Sequence, residues 1–133
     1  MFNLSKFFNK GLKDSILFLS NGAMSHNGPW KQVYSNTLLD RFHVGDFSTA
    51  EYTISADYDS SNKEIIKVLV TASVEKAGVV IYARNNLGSD LITVEATVND
   101  SYVDIVVNPT TGKQGSKIIY TVQYYQNQNP QVV

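Results

Sequence analysis

The sequence predicts an all-β fold, an antiparallel, jelly-roll-like β-sandwich of about eight strands, on three observations. Apolar and polar residues alternate through most of residues 52–125, the period of strands with one dry and one wet face. Gly, Pro, Asn and Asp separate these runs at short, regular intervals. The 133 residues suit a single domain, and the absence of cysteine excludes disulfides and thiolate metal sites.

Residues 1–28 are distinguished as a short N-terminal helical or extended arm. Leu4, Phe7 and Phe8 have helical spacing, and residues 14–19 read as a short extended segment. Two interpretations stay open: an ordinary first helix and strand of the sandwich, or an arm that docks on a neighbouring subunit. The apolar residues are too many for a solvated tail, so we hypothesise an assembly interface. Its residues are Phe2, Leu4, Phe7, Phe8, Ile16, Leu17 and Phe18.

Residues 29–126 form the predicted sandwich domain, and residues 127–133 a polar C-terminal tail. In chain order, strands are predicted at 30–34, 37–44, 52–58, 66–73, 79–83, 92–98, 103–107 and 118–125. Residues 59–62 are typical of a hairpin loop, and turns are predicted at 85–88 and at Asn99-Asp100. A longer loop follows Asn108-Pro109.

The alternation also predicts which side chains are buried. One inter-sheet core should contain Val68, Val70, Val94, Ala96, Ile105 and Val122. Leu69 and Ile119 are apolar exceptions on the wet faces of their strands.

The charge distribution excludes several classes of partner. A net charge of −1 and a pI near 6.0 give no general attraction to nucleic acid or to an anionic membrane. No apolar run approaches the roughly 18 residues of a membrane span. We therefore expect neither nucleic acid nor membrane as a partner.

No residue pattern predicts a catalytic, cofactor or metal site. Residues 57–64 place side chains with oxygen atoms at alternate positions, as calcium-binding loops do. However, Asn62 stands where such a loop needs Gly, and Val68 stands where it needs a bidentate acid. A solvated hairpin turn is the better interpretation. His26 in a loop and His43 in a strand could pair with an acid, yet no Gly-x-Ser-x-Gly motif accompanies them. The sequence thus predicts no enzyme and no cofactor.

The aromatic residues allow one binding interpretation. Trp30 with Tyr34, or Tyr124 with Tyr125, could form an aromatic platform for sugars. The competing and favoured interpretation places Trp30 and one tyrosine of each pair in the core or in a subunit interface.

Several strand sequences resemble a module of virion structural proteins of tailed phages, particularly T4-like and related marine cyanobacterial phages. The resemblance covers roughly residues 30–125 and lies in residues 47–59, 63–72, 84–88, 92–96 and 107–109. It implies a structural, non-enzymatic virion component, in the tail or neck apparatus or as capsid decoration. Such a component would assemble in multiple copies with itself and with other virion proteins. The alternative is a carbohydrate-binding β-sandwich module in a host-recognition device.

Overall fold

The computed structural model describes residues 16–18, 23–26, 28 and 30–126, and these form strands and turns without any helix. The strands are β1 (Ile16–Phe18), β2 (Ala23–His26), β3 (Lys31–Val33), β4 (Thr37–His43), β5 (Phe47–Asp59), β6 (Asn62–Ala72), β7 (Ala77–Leu87), β8 (Ile92–Asn99), β9 (Tyr102–Pro109) and β10 (Ser116–Gln126). Eight of them, β3 to β10, lie in the predicted sandwich domain.

Two antiparallel sheets face each other, which confirms the predicted β-sandwich. The large sheet has the order β1-β2-β10-β5-β6-β7, with β3 also paired to β10, and the small sheet has the order β4-β9-β8. The chain crosses between the sheets after β3, β4, β7 and β9. Hairpins join the strands of β5-β6-β7 in the large sheet and of β8-β9 in the small sheet.

The inner faces of the two sheets form one apolar core, and the predicted register is correct. Five of the six predicted core residues are buried, and Ala96 is half-buried against them. Thr71 and Thr93 are exposed, as their place on the other face requires. Fully burying a side chain such as Val68 contributes about 1.5–3 kcal/mol. The largest fully buried side chains are Tyr52, Ile54, Ile66, Leu91, Ile92, Ile105 and Ile118.

One edge of β10 is shared by two short strands. β3 pairs with residues 116–118 of β10, and β2 pairs with residues 122–125 farther along the same edge. β1 continues the sheet beyond β2. Part of the predicted N-terminal arm is therefore extended, as expected, and its backbone is hydrogen-bonded to the sandwich. The helical spacing of Leu4, Phe7 and Phe8 lies outside the described residues.

Three local predictions are wrong. Residues 85–87 belong to β7 and the turn comes at Gly88, because the Asn86 side chain bonds to Glu64 on the neighbouring strand. The β8–β9 turn is centred on Asp100 and Ser101, one residue later than predicted, and both have positive φ as a tight hairpin requires. His26 lies in β2 rather than in a loop.

Candidate interaction surface

The first cluster of polar side chains joins the two sheets inside the sandwich. A bulge in β4 turns Asp40 towards the core. Its Oδ2 accepts a 2.6 Å hydrogen bond from the Tyr52 hydroxyl and a second bond from the Tyr124 hydroxyl. Burial, and then the nearby Asp40 carboxylate, raise the pKa of both tyrosines above its ordinary value. The cluster ties β4 to β5 and β10, so its role is structural.

The second cluster surrounds Glu64, whose side chain is completely buried. Arg84 Nη1 donates to Glu64 Oε2 at 2.7 Å, and Asn86 Nδ2 donates to the same oxygen at 3.0 Å. The backbone N–H groups of Leu91 and Ile92 donate to Oε1, each at 3.2 Å. The carboxylate is thus fully engaged by the protein, and it fixes the crossover from β7 to β8.

In residues 57–64, the segment that resembles a calcium-binding loop, each acidic side chain has its own partner in the protein. Asp57 forms an ion pair with Lys63 at 2.9 Å on the outer face of the large sheet. Asp59 accepts hydrogen bonds from Asn62 Nδ2 and from the Ser61 N–H, and these bonds lower the pKa of its carboxyl. Glu64 points to the inner face. Within the described residues, no group of three or more acids and histidines could hold a metal ion.

His43, the histidine predicted to lie in a strand, is engaged locally in β4. Its Nδ1 accepts a 2.9 Å hydrogen bond from the Gly45 N–H, and its ring packs edge-on against Tyr102. No serine or acid is bonded to this ring among the contacts of the described residues.

The outer face of the large sheet exposes an apolar patch. The predicted exceptions Leu69 and Ile119 are both exposed, as expected, and the structure adds Ile65, Val80 and Tyr82. These five residues are the outer patch. Leu69 and Val80 are direct cross-strand partners, while Ile65 and Ile119 occupy one row on either side of β5. A solvated sheet face is normally polar, so among the surfaces of the described residues we regard this patch as the best candidate for an interaction surface.

The centre of the outer patch contains charges that neutralise one another. The Tyr82 hydroxyl donates to Glu51 Oε2 at 2.8 Å, and Lys67 Nζ lies 3.9 Å from Glu51 Oε1. The first of these contacts raises the pKa of Tyr82. The face therefore presents apolar side chains around a compact group that carries both signs of charge.

A shallow depression of about 370 Å³ lies at one corner of the outer patch. Its lining includes Ile65 with its cross-strand neighbours Ser55 and Asn85, together with Lys63 and Leu87. The depression is open, which suits an inserted side chain better than an enclosed substrate.

A second exposed surface lies at the sheet edge formed by β3, next to Ile119 of the outer patch. Trp30, Gln32 and Tyr34 alternate outward along the chain while Val33 is buried, and we call these three residues with Lys117 the edge stripe. Trp30 is 60% exposed and Tyr34 is 63% exposed. Trp30 is therefore outside the core, contrary to one branch of the favoured interpretation.

The second predicted aromatic platform does not exist, because Tyr124 is buried with its ring stacked on Phe47. Tyr125 alone faces outward. The alternation of β10 already separates these neighbours onto opposite faces, which is the signal that excludes the pair as a platform.

Neither a protein-family model nor a curated protein sequence matches this chain. In fold, the chain is similar to part of the tailspike protein gp49 of Acinetobacter baumannii bacteriophage Fri1, a capsular polysaccharide depolymerase. That match has a TM-score of 0.51 and 15% identity over 98% of this chain and 22% of the tailspike. The tailspike protein of Acinetobacter phage vB_ApiP_P1 also matches, with a TM-score of 0.40 and 12% identity over 85% of this chain and 22% of that chain. The chain thus spans about a fifth of each tailspike, and the first match supports the β-sandwich fold.

Proposed function

We propose that this chain is a structural β-sandwich module of a tailed-phage virion, placed in the tail apparatus and acting by contact between several copies. The observation that carries the proposal is the outer patch, an apolar surface on a sheet face that a solitary domain would keep polar. The fold shared with part of a phage tailspike supports a tail position over the neck or the capsid surface. A T4-like or cyanobacterial phage is the source suggested by the strand sequences, whereas the solved tailspikes belong to Acinetobacter phages.

The occupant of the outer patch in this proposal is a second copy of the chain. Glu51 and Lys67 lie side by side in the patch, so a twofold-related copy can oppose unlike charges around an apolar centre. The ion pair between Asp57 and Lys63 flanks the patch in the same way. Such a surface is complementary to itself, which a surface of one sign could not be.

The N-terminal residues supply a second contact in the proposal. Every buried core residue of the described part lies at Val33 or beyond, so a chain starting at Gly28 keeps all of these residues. It loses β1 and β2 from the edge of β10, and we expect lower stability but a native fold. Virion assembly should fail if residues 1–28 bind a neighbouring subunit. Normal assembly of the shortened chain would contradict this contact.

The Fri1 tailspike is a depolymerase, but this chain spans only 22% of that protein. We propose a non-catalytic role for this chain, because the acids inside the sandwich, Asp40 and Glu64, are engaged in hydrogen bonds with protein groups. Incubation of the purified chain with capsular polysaccharide should release no new reducing ends. Release that survives further purification would contradict the structural role.

The assembly proposal is tested by the oligomeric state of the full chain. Light scattering after size exclusion should give a mass that rises with concentration for the wild type. Leu69→Lys should shift the protein towards monomer, because a buried unpaired charge opposes association. Val74→Lys is the matched control, since Val74 is an exposed valine in the β6–β7 turn. A monomeric wild type, or equal effects of the two variants, would contradict the proposed interface.

A further inference from the structure

The edge stripe is held in place by contacts with the loop that precedes β10. Gln32 Nε2 donates to the Gly115 carbonyl at 3.0 Å, and the Gly115 N–H donates to the Val33 carbonyl at 2.7 Å. Gly115 has a φ of +101°, and a Cβ added there would lie 3.4 Å from Tyr34 Cε1. The Tyr34 ring therefore covers a glycine, and two hydrogen bonds hold the strand beneath it.

The two exposed rings flank the short strand β3. Trp30 comes directly before the strand, and Tyr34 comes directly after it at the start of a bend. Gln32 lies between them in β3, where its Nε2 donates to the Gly115 carbonyl and the residue is exposed. Two apolar ring faces with an amide oxygen between them match a ligand that alternates C–H surfaces with hydroxyl groups.

The stripe carries positive charge. Lys117 Nζ lies 5.9 Å from the centre of the Trp30 ring. Within the described part of the chain, Lys117 has no ion pair, and its neighbour Asp57 is paired with Lys63 instead. An ammonium group held beside an aromatic ring without a carboxylate partner is suited to a negatively charged ligand.

We propose that the edge stripe binds a polysaccharide that carries carboxylate groups. Sugar rings pack on Trp30 and Tyr34, hydroxyl groups donate to Gln32 Oε1, and a sugar carboxylate pairs with Lys117. The stripe, on β3 and Lys117 of β10, adjoins Ile119 and lies across β5 from the other four residues of the outer patch, so glycan binding and self-association are measured by separate readouts.

Trp30 is the one tryptophan of the chain, so its fluorescence reports the stripe directly. The full chain is titrated with oligogalacturonate and with hyaluronan fragments, and a neutral maltooligosaccharide of equal length is the comparison. We expect a saturable change in Trp30 emission with at least one acidic glycan, and affinity about tenfold weaker for the neutral one. No saturable change with either acidic glycan, or equal affinity for the neutral glycan, would overturn the proposal.

Three substitutions separate the parts of the site. Tyr34→Ala should abolish saturable binding, Lys117→Gln should weaken binding of the acidic glycan, and Lys117→Arg should retain it. Tyr102→Ala removes an exposed ring from the small sheet and should leave binding unchanged. If the stripe variants alter the oligomeric mass while glycans leave the fluorescence unchanged, the stripe is a protein contact and the glycan proposal is wrong.

Discussion

The inner and outer faces of the large sheet are made by the same strands but differ in composition and in burial. On the inner face, buried aliphatic and aromatic residues exclude water, and the few polar atoms are bonded within the protein. On the outer face, polar residues are interrupted by exposed apolar side chains, among them the five of the outer patch. The comparison indicates that the first face determines stability, and the second is the face through which we propose that the chain associates.

The largest expected effect comes from removing Glu64, the buried charge on the inner face. Glu64→Ala should lower the free energy of unfolding by about 3–5 kcal/mol, because it leaves the partly buried Arg84 without its main partner. The measurement is urea denaturation followed by circular dichroism. Glu95→Ala, at an exposed position of β8, is the control and should change little. A small effect at Glu64 would mean that water or Asp90 replaces the carboxylate.

Two adjacent isoleucines of β6 allow the same substitution to be compared on the inner and the outer face of the large sheet. Ile66 is 1% exposed and Ile65 is 47% exposed. Ile66→Ala should destabilise by about 2–5 kcal/mol through lost burial and a cavity. Ile65→Ala should stay within about 0.5 kcal/mol for the dissociated protein, as surface substitutions do. Equal losses from thermal or urea melts would contradict the assigned register.

The buried hydroxyl of Tyr52 predicts how stability depends on alkaline pH. Its folded-state pKa is raised, chiefly by burial, so the unfolded chain releases this proton first. The stabilising contribution is fully present below about pH 10 and is lost as pH rises above it, at about 1.4 kcal/mol per pH unit.

Tyr52→Phe isolates this effect. At neutral pH the variant should lose about 1.5–3 kcal/mol, the worth of a hydrogen bond to a carboxylate. Its stability should then fall less steeply than that of the wild type between about pH 10 and 11. Tyr34→Phe, at an exposed ring, is the control. Parallel pH profiles for wild type and Tyr52→Phe would show that another group causes the alkaline loss.

The smallest expected effect concerns calcium at the β5–β6 turn. Asp57, Asp59 and Glu64 bond to protein groups on different sides of the sheet. The melting temperature should therefore be the same with calcium and with chelator, since an ion bound by the native state would raise it. A reproducible shift of several degrees would reveal a metal site in this turn.

The alternation of apolar and polar residues is sufficient to predict which side chains of a strand face the core. A register shifted by one residue would turn the apolar side chains of that strand to solvent. The alternation also identifies Leu69 and Ile119 as exposed. Val80 and Tyr82 cannot be assigned to a face from the sequence, because residues 79–82 are continuously apolar and give no parity.

The internal clusters are beyond sequence reasoning for a different reason. The bonds from Arg84 and Asn86 to Glu64 depend on the β6–β7 register and on the extension of β7 through residues expected to turn. The hydrogen bonds from two tyrosines to Asp40 depend on a bulge in β4, and no residue pattern in the sequence predicts that bulge. Likewise, Trp30 is a large apolar residue, and only the pairing of β3 with β10 reveals that it faces outward.

The most direct test of association through the outer face is thiol accessibility. The chain has no cysteine, so Ile65→Cys and Val74→Cys each introduce a single reactive group. Maleimide labelling of Ile65→Cys should slow markedly as protein concentration rises into the associating range, because the patch is then covered by a second copy. Val74→Cys, 68% exposed in the wild type, should label at the same rate throughout. Equal and concentration-independent rates at both positions would contradict an interface on the outer face.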